Sequence, residues 1–392
     1  MSELMSLDRA HIAPTYRRFP VEIVSGAGSC VYDTEGRRYI DMGSGIGVTA
    51  FGHADPLWVA AVTEQLSRVS HTSNLYYTEP CARLAALLCE KTGMSKVFFG
   101  NSGAEANECA IKVARKYATE KRGLKGPYII TLKNSFHGRT LTTLAATGQE
   151  HYHELFTPLT PGFLHAEAGN IEELVALLDA HPVAAVLLEV VQGEGGVIAL
   201  SPDYLRAVER EVRGRDVLLM VDEVQTGNGR SGMLYAYMTA GLTPDVVTTA
   251  KGLGGGLPIG ACLLSERVAD ILGPGDHGST FGGNPAASAG ALSVLSRIDD
   301  AFLAAVKEKS KRIFAALDGA KGVRSVSGLG LMIGVETVRP AAEVVGDCMA
   351  KGVLLLTAKS KVRLLPALNI DDAVLSEALS VLLEACAKGV EE

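Results

Sequence analysis

Two apolar segments of the chain end in side chains that could do chemistry together. Residues 217–221 end at Asp222, and residues 246–250 end at Lys251. Such runs indicate buried parallel strands, whose carboxyl ends meet at the edge where open α/β sheets bind ligands. A desolvated lysine at that edge suits a Schiff base, and the glycines that follow Lys251 leave its amine unobstructed. An ordinary salt bridge between the two residues explains the pattern equally well.

A small-residue turn at residues 101–104 is a candidate anion site. The sequence NSGA follows a short strand and opens a helical pattern. Free N–H groups and the positive end of the helix dipole suit a phosphate at that point. Helix capping alone would also explain Ser102. No Gly-Lys-Ser/Thr follows, so the turn is not a Walker motif.

The elements around these residues alternate between strand and helix patterns, which predicts a mainly parallel sheet in an α/β fold. From residue 286 onward, long helical patterns at 286–297 and 301–317 precede strands near 331–336 and 353–356. This change predicts a separate, smaller α+β domain. The predicted division is an N-terminal segment at residues 1–45 that packs with the small domain, a large domain at residues 46–285 that contains Asp222 and Lys251, and a C-terminal small domain at residues 286–392.

Composition limits the class of protein. The 392 residues carry a formal charge of −7 without a block of basic residues, which argues against nucleic acid or an anionic membrane as partner. The N-terminus has no signal-peptide core, and no apolar run approaches a membrane span, so we expect a cytoplasmic enzyme. Seven cysteines without CxxC spacing indicate reduced thiols. His151 and His153 lack a further ligand cluster, so we expect no metal.

The motifs VDEVQTG, TTAKGLGGGLP and NSGAEANE together resemble the class III aminotransferases of the fold-type I, pyridoxal-phosphate-dependent superfamily. The resemblance covers essentially the whole chain. It implies a fold-type I transferase with a large, mainly parallel sheet domain and a smaller α+β domain. It also implies that Lys251 holds the aldehyde of pyridoxal 5'-phosphate and shuttles a proton, while Asp222 pairs with the pyridinium nitrogen so that the ring accepts electrons.

The same resemblance assigns further residues to the cofactor. It implies that Ser102, Gly103 and Ala104 contact the phosphate, that Phe136 stacks on the ring, and that Gln225 lies near the phenolic oxygen. It also implies a homodimer with shared active sites, in which Ser279 and Thr280 contact the phosphate in the neighbouring subunit. Ala104 stands where threonine is frequent, so one hydroxyl contact is missing.

Substrate residues follow from the resemblance as well. They are Tyr16, Ile46, His137, Arg139, Glu189, Glu194 and Arg363. Arg139 and Arg363 would bind substrate carboxylates, since a guanidinium meets a carboxylate in a bidentate manner. Without the resemblance, Arg139 reads as a surface residue and Arg363 as an edge-strand arginine. Val190 stands where the family commonly has proline, so the local turn could differ.

The reaction implied is transfer of the terminal amino group of N-acetylornithine to 2-oxoglutarate, as in arginine biosynthesis. An aliphatic residue at position 46 resembles enzymes that use acetylornithine, whereas an aromatic residue there goes with free ornithine. The sequence also leaves four other amino donors possible: succinylornithine, succinyldiaminopimelate, ornithine and 4-aminobutyrate. An aminomutase on the same scaffold and a non-catalytic binding protein are rivals of other classes.

Overall fold

The computed structural model describes residues 2–390. Its strands are β1 (Ile23–Ala27), β2 (Cys30–Asp33), β3 (Arg38–Asp41), β4 (Lys96–Gly100), β5 (Tyr128–Leu132), β6 (Phe163–Ala166), β7 (Val183–Leu188), β8 (Val191–Gln192), β9 (Ile198–Ala199), β10 (Leu218–Asp222), β11 (Val246–Thr249), β12 (Gly260–Leu264), β13 (Val323–Leu329), β14 (Met332–Thr337), β15 (Val353–Leu354), β16 (Leu356–Ala358) and β17 (Lys361–Leu364). Its helices are α1 (Glu3–His11), α3 (Pro56–Arg68), α4 (Glu79–Thr92), α5 (Gly103–Arg122), α6 (Leu141–Ala146), α7 (Ile171–Ala180), α8 (Pro202–Arg213), α9 (Pro285–Leu295), α10 (Asp300–Leu317), α11 (Ala341–Ala350) and α12 (Asp372–Ala387), with a short left-handed turn, α2 (Ser44–Gly47), before α3.

The largest sheet positions the candidate site. Its strand order is β4-β12-β11-β10-β7-β5-β6, and every neighbouring pair is parallel except the two that involve β12. The mainly parallel α/β fold predicted from the sequence is therefore confirmed. Strand β7 is buried at every residue, as expected for a strand covered on both faces. Helix α5 packs across β12, β11 and β7, and α8 packs on β10.

Two four-stranded sheets accompany the largest one, and one of them joins the N-terminal and C-terminal regions of the chain. Strands β13, β14, β17 and β16 form one antiparallel sheet. In the other, β2 and β3 form an antiparallel hairpin, and β3 pairs in parallel with β15 from the C-terminal region. The single strand expected near 353–356 is in fact two, because Val353–Leu354 joins the N-terminal sheet whereas Leu356–Ala358 pairs with β17. The residue-level domain division stays a prediction.

Helix starts follow local capping. Asp55 accepts from Trp58 N at 2.9 Å at the start of α3, as Asp-Pro predicts. At α7, Asn170 accepts from Glu173 N at 3.0 Å, and the Glu173 carboxylate accepts from Glu167 N, so a capping box is not completed. Within residues 2–390, none of the helices has the length and apolar character that crossing a membrane requires.

Candidate active site

A cavity of about 550 Å³ lies at the carboxyl ends of β10 and β11. It brings together most of the residues singled out in the sequence, namely Tyr16, Ile46, Ser102, Gly103, Ala104, Phe136, His137, Arg139, Glu189, Glu194, Asp222, Gln225 and Lys251. Arg363 lies directly behind this lining, in contact with Glu194. Ser279 and Thr280 are outside the lining of this chain's own cavity.

Asp222 is held by a buried polar network. Its Oδ2 accepts from Asn107 Nδ2 at 2.8 Å, and His137 Nδ1 lies 2.8 Å from the same oxygen. Its Oδ1 accepts from Val224 N at 3.0 Å. Asn107 is fixed in turn, because its Oδ1 accepts from Thr248 Oγ1 at 2.7 Å. The network orients the carboxylate towards the cavity and supplies the hydrogen bonds that a buried charge requires.

Asn107 and Thr248 were missed as site residues by the sequence interpretation. Both are buried, on α5 and β11 respectively. Asn107 lies within NSGAEANE, and a buried polar residue on the apolar face of a helix is the signal that could have found it. Thr248 stands opposite Asp222 in the β10–β11 register, which the sequence alone does not reveal.

His137 joins the cavity lining to the polar network around Asp222. Its side chain has 0% exposed surface and contacts Asp222, and the residue is part of the cavity lining. The main chain around it is fixed as well, since His137 N donates to Thr147 Oγ1 at 2.9 Å and His137 O accepts from Asn107 Nδ2 at 2.8 Å. The ring therefore supports the Asp222 carboxylate, and its place beside the substrate stays a prediction.

Lys251 follows β11 directly and faces the cavity. Burial lowers the pKa of its amine, although the carboxylates of Asp222, Glu194 and Glu189 act in the opposite direction. A lowered pKa leaves more of the amine neutral and nucleophilic at neutral pH. Among the ion pairs of residues 2–390, none joins Lys251 to Asp222, so the plain salt bridge left open by the sequence is not formed.

The N-terminus of α5 forms a small-residue cradle at one end of the cavity. Ser102 caps the helix by accepting from Glu105 N at 3.2 Å, and the first-turn N–H groups have no acceptor within the helix. A Cβ at Gly103 would lie 2.6 Å from Val224 Cγ1, so glycine is required there. Ala104 adds no hydroxyl. The exposed N–H groups and the helix dipole suit a phosphate.

Glu189 directly follows β7 and supports the loop that carries Phe136. Its Oε2 accepts from Phe136 N at 3.0 Å. Burial, reinforced by the nearby Asp222 carboxylate, raises the pKa of Glu189 well above its ordinary value. Its role towards substrate stays a prediction. The following residue, Val190, is buried, and its carbonyl accepts from Leu200 N at 2.9 Å, so the turn closes without proline.

A hydrogen-bonded trio formed by Arg363, Glu194 and Gln225 borders the cavity. Arg363 Nη1 donates to Glu194 Oε1 at 2.5 Å and to Gln225 Oε1 at 3.3 Å. Gln225 Nε2 also donates to Glu194 Oε1 at 3.3 Å. The Arg363 side chain is only 4% exposed, whereas that of Glu194 is 28% exposed. Burial alone would raise the pKa of Glu194, but the Arg363 guanidinium holds this pKa below its ordinary value.

Two further substrate candidates lie towards solvent at the cavity mouth. Arg139 is exposed, and its guanidinium carbon lies 5.8 Å from the centre of the Phe136 ring and 5.7 Å from that of Tyr152. Tyr16 is also exposed. Ile46 is carried to the mouth by the left-handed turn α2. Hydrogen bonds from Gly47 N to Gly43 O and from Val48 N to Ser44 O close this turn.

Ser279 and Thr280 lie beside an exposed apolar surface. Asn74 Nδ2 donates to the carbonyls of Ser279 and Gly282, both at 2.9 Å. Ser279 Oγ accepts from Asn101 Nδ2 at 3.2 Å, and Thr280 is exposed. Four large apolar side chains near this link are exposed by more than half: Leu75, Tyr76, Tyr77 and Phe281.

These residues fit the cofactor that the resemblance implies. The cradle at α5 offers N–H groups to a phosphate, Lys251 offers an amine of lowered pKa to an aldehyde, and Asp222 offers a fixed carboxylate to a ring nitrogen. The cavity between them is large enough for a small ring and an amino acid.

The chain is similar to known proteins over nearly its whole length. The model of the family "Aminotransferase class-III" matches residues 11–386. The acetylornithine aminotransferase of Haemophilus ducreyi is 50% identical over 384 residues, covering 97% of this chain and 98% of that protein. That of Caldanaerobacter subterraneus is 44% identical over 386 residues, with the same coverage.

Solved structures agree in fold. Ornithine aminotransferase of Toxoplasma gondii, described with partial occupancy of PLP at its active site, has a TM-score of 0.93 at 31% identity and covers 98% of this chain and 94% of its own. N-acetylornithine aminotransferase of Stenotrophomonas maltophilia has a TM-score of 0.83 at 35% identity and covers 98% of both chains. The sequence motifs, the sheet and the placement of Lys251 and Asp222 thus lead to one conclusion: this chain belongs to the class-III aminotransferase family.

Proposed function

We propose that the protein transfers the terminal amino group of N-acetylornithine to 2-oxoglutarate, with pyridoxal 5'-phosphate as cofactor. The products are N-acetylglutamate semialdehyde and glutamate, which suits a role in arginine biosynthesis. The observation that carries the proposal is the placement of Lys251 and Asp222 at adjacent strand ends in one cavity, with the phosphate cradle of α5 beside them. Relatives named acetylornithine aminotransferase, similar over nearly their full length, supply the substrate.

The cofactor would be held at three points. The N–H groups at the start of α5 would bind its phosphate, Phe136 would cover one ring face, and Asp222 would meet the ring nitrogen. Gln225 would lie near the phenolic oxygen. When bound, the cofactor supplies an electron sink for the pair left when a C–H bond of the substrate breaks.

The chain's own residues prepare this chemistry. Lys251 would hold the aldehyde of the bound cofactor and, as a free amine of lowered pKa, would take and return the substrate proton. Asn107 and His137 both contact Asp222 Oδ2, so the carboxylate stays in place and keeps the ring nitrogen protonated. Fixed groups of this kind need no reorganisation during the reaction, which is why they contribute strongly to rate.

The hydrogen-bonded trio of Arg363, Glu194 and Gln225 would let one cavity accept two unlike substrates. Acetylornithine has one carboxylate and an uncharged distal chain, whereas glutamate has two carboxylates. Arg139 would bind the carboxylate that both substrates share. Glu194 would neutralise Arg363 while acetylornithine is bound and release it when glutamate arrives, which avoids an unpaired buried cation.

We further propose a homodimer in which Ser279 and Thr280 contact the phosphate in the partner's site. Support comes from their position outside this chain's cavity and beside exposed apolar side chains, which a second copy would cover. A cytoplasmic location is also proposed, since all seven cysteines are free thiols.

A donor panel on the purified protein tests the function. N-acetylornithine should have the highest kcat/KM, ahead of ornithine, succinylornithine, succinyldiaminopimelate and 4-aminobutyrate, with 2-oxoglutarate as acceptor. Ornithine is the alternative with its own support, because the Toxoplasma gondii ornithine aminotransferase shares the fold at a TM-score of 0.93. A higher kcat/KM for ornithine would overturn the proposed donor. Turnover without any oxo acid would favour an aminomutase.

A further inference from the structure

The turn Ser44–Gly47 holds Ile46 at the cavity mouth in an unfavourable backbone conformation. Its four residues have φ values of 48°, 62°, 65° and 75°. Ile46 is β-branched, and such a residue at positive φ is a genuine outlier that is energetically unfavourable. A conformation of this cost persists only where surrounding contacts determine it.

Asp41, the last residue of β3, supplies contacts at the start of the turn. Its Oδ1 accepts from Gly43 N at 2.9 Å and from Ser44 N at 2.8 Å. Its Oδ2 lies 2.8 Å from His53 Nε2. One carboxylate therefore fixes the two peptide groups that lead into the left-handed residues and is itself held by His53.

Arg230 closes off the other end of the turn. It is fully buried, and a Cβ at Gly47 would lie 3.8 Å from its Nε. Arg230 Nη1 donates to Leu331 O at 3.2 Å and to Pro366 O, so the guanidinium is anchored behind the turn. With one end bound to Asp41 and the other packed on an anchored side chain, Ile46 has one defined position.

We propose that Asp41 is a positioning residue that sets the choice of amino donor through Ile46. Asp41 does not line the cavity, so it acts on the substrate only through the turn. Ile46 does line it, where it would pack against the donor's distal chain. The inference rests on the proposed function and deepens it, since it names what fixes the residue beside the donor.

Asp41→Ala should change donor discrimination more than catalysis. Without the carboxylate, the turn relaxes and Ile46 moves. We expect the ratio of kcat/KM for acetylornithine to that for ornithine to fall roughly tenfold, about the effect of one misplaced methylene-sized contact. Asp41→Asn keeps an acceptor for both N–H groups and should restore most of the ratio. If Asp41→Ala does not fold, the donor ratio is measured in Asp41→Ser instead. This variant should also lower the ratio, because one hydroxyl cannot replace both carboxylate oxygens.

Asp33 provides a matched control. Its Oδ1 accepts from Glu35 N at 3.0 Å and Arg37 N at 2.9 Å, and its Oδ2 accepts from Tyr39 Oη at 3.0 Å. It therefore makes the same set of bonds in a hairpin that does not line the cavity. Asp33→Ala should lower the melting temperature comparably and leave the donor ratio unchanged.

A double-mutant cycle with Ile46→Gly decides whether Asp41 acts through Ile46. Glycine adopts positive φ without cost and carries no side chain to position. In the Ile46→Gly background, Asp41→Ala should change the donor ratio less than twofold, and this non-additivity is the signature of coupling. An equal fall of the ratio in both backgrounds, or an unchanged ratio in folded Asp41→Ala, would overturn the proposal.

The outcome is separable from that of the proposed function. The wild-type donor panel tests the function by itself. If acetylornithine is not a substrate, the ratio is taken between the two best donors of the panel, and the Asp41 cycle still has the same supporting and opposing results.

Discussion

Replacing Glu194 by alanine should slow one half-reaction and spare the other. Arg363 is 4% exposed, and its partners at this end are Glu194 at 2.5 Å and Gln225 at 3.3 Å. Without the Glu194 carboxylate, the cation retains only the amide oxygen of Gln225 when acetylornithine is bound. Glutamate brings its own second carboxylate, so its half-reaction does not need Glu194.

The structure sets the size of this effect. Removing one member of a buried hydrogen-bonded charge pair costs about 2–5 kcal/mol, much of it from the charge left behind. Because Glu194 is 28% exposed, water can replace part of what it provides, so we take the lower end. A loss of about 2 kcal/mol corresponds to a roughly 30-fold slower acetylornithine half-reaction.

Single-turnover stopped-flow on the cofactor absorbance measures each half-reaction separately. Glu211→Ala is a suitable control, because Glu211 forms an ion pair of 2.6 Å with Arg215 at a similar exposure of 32% but far from the cavity lining. It should change neither rate. If Glu194→Ala slows both half-reactions equally, Glu194 does not alternate between neutralising and releasing Arg363.

Further predictions concern the cofactor, the assembly and pH. Borohydride reduction of the loaded protein should attach the cofactor to the peptide that contains Lys251, and Lys251→Ala should abolish turnover and labelling together. Asp222→Ala should keep the labelling but slow turnover by on the order of 100-fold, and a near-normal rate would exclude its assigned role. Thr280→Ala should weaken cofactor retention without unfolding the subunit. When Thr280→Ala subunits are mixed with Lys251→Ala subunits, each hybrid dimer should have one intact, active site. No recovery of activity after verified subunit exchange would mean that each site is formed by one subunit alone. Burial raises the pKa of Glu223 to about 7, so the folded protein binds this proton more tightly than the unfolded chain does. The free energy of unfolding should therefore fall by on the order of 3 kcal/mol as pH rises from about 4.5 to 7. Glu223→Gln should flatten that part of the stability profile in urea denaturation, and an unchanged slope would contradict it.

Much of the fold was predictable because it depends on local patterns. Apolar runs that end in Asp222 and Lys251 predicted parallel strands whose ends meet, and β10 and β11 are paired in that way. The NSGA turn was predictable for the same reason, since a helix N-terminus is encoded by adjacent residues. The residues at these places could be located before their contacts were known.

Other parts depend on residues far apart in the chain. Thr248, Asn107 and Asp222 share one hydrogen-bonded network through the sheet register and α5, which no local pattern reveals. The contact between His137 and Asp222 joins residues 85 positions apart, so no local pattern reveals it either. The glycine-rich composition of the segment before α3 does not show that Asp41 fixes its turn.

Isotope transfer tests the central claim most directly. The protein loaded with pyridoxal 5'-phosphate is incubated with N-acetylornithine labelled with ¹⁵N at the terminal amino group, together with unlabelled 2-oxoglutarate. Mass spectrometry should find ¹⁵N in glutamate, and the donor skeleton should appear as the semialdehyde without the label. Unlabelled glutamate, or ¹⁵N retained at another carbon of the donor without any oxo acid present, would contradict the account.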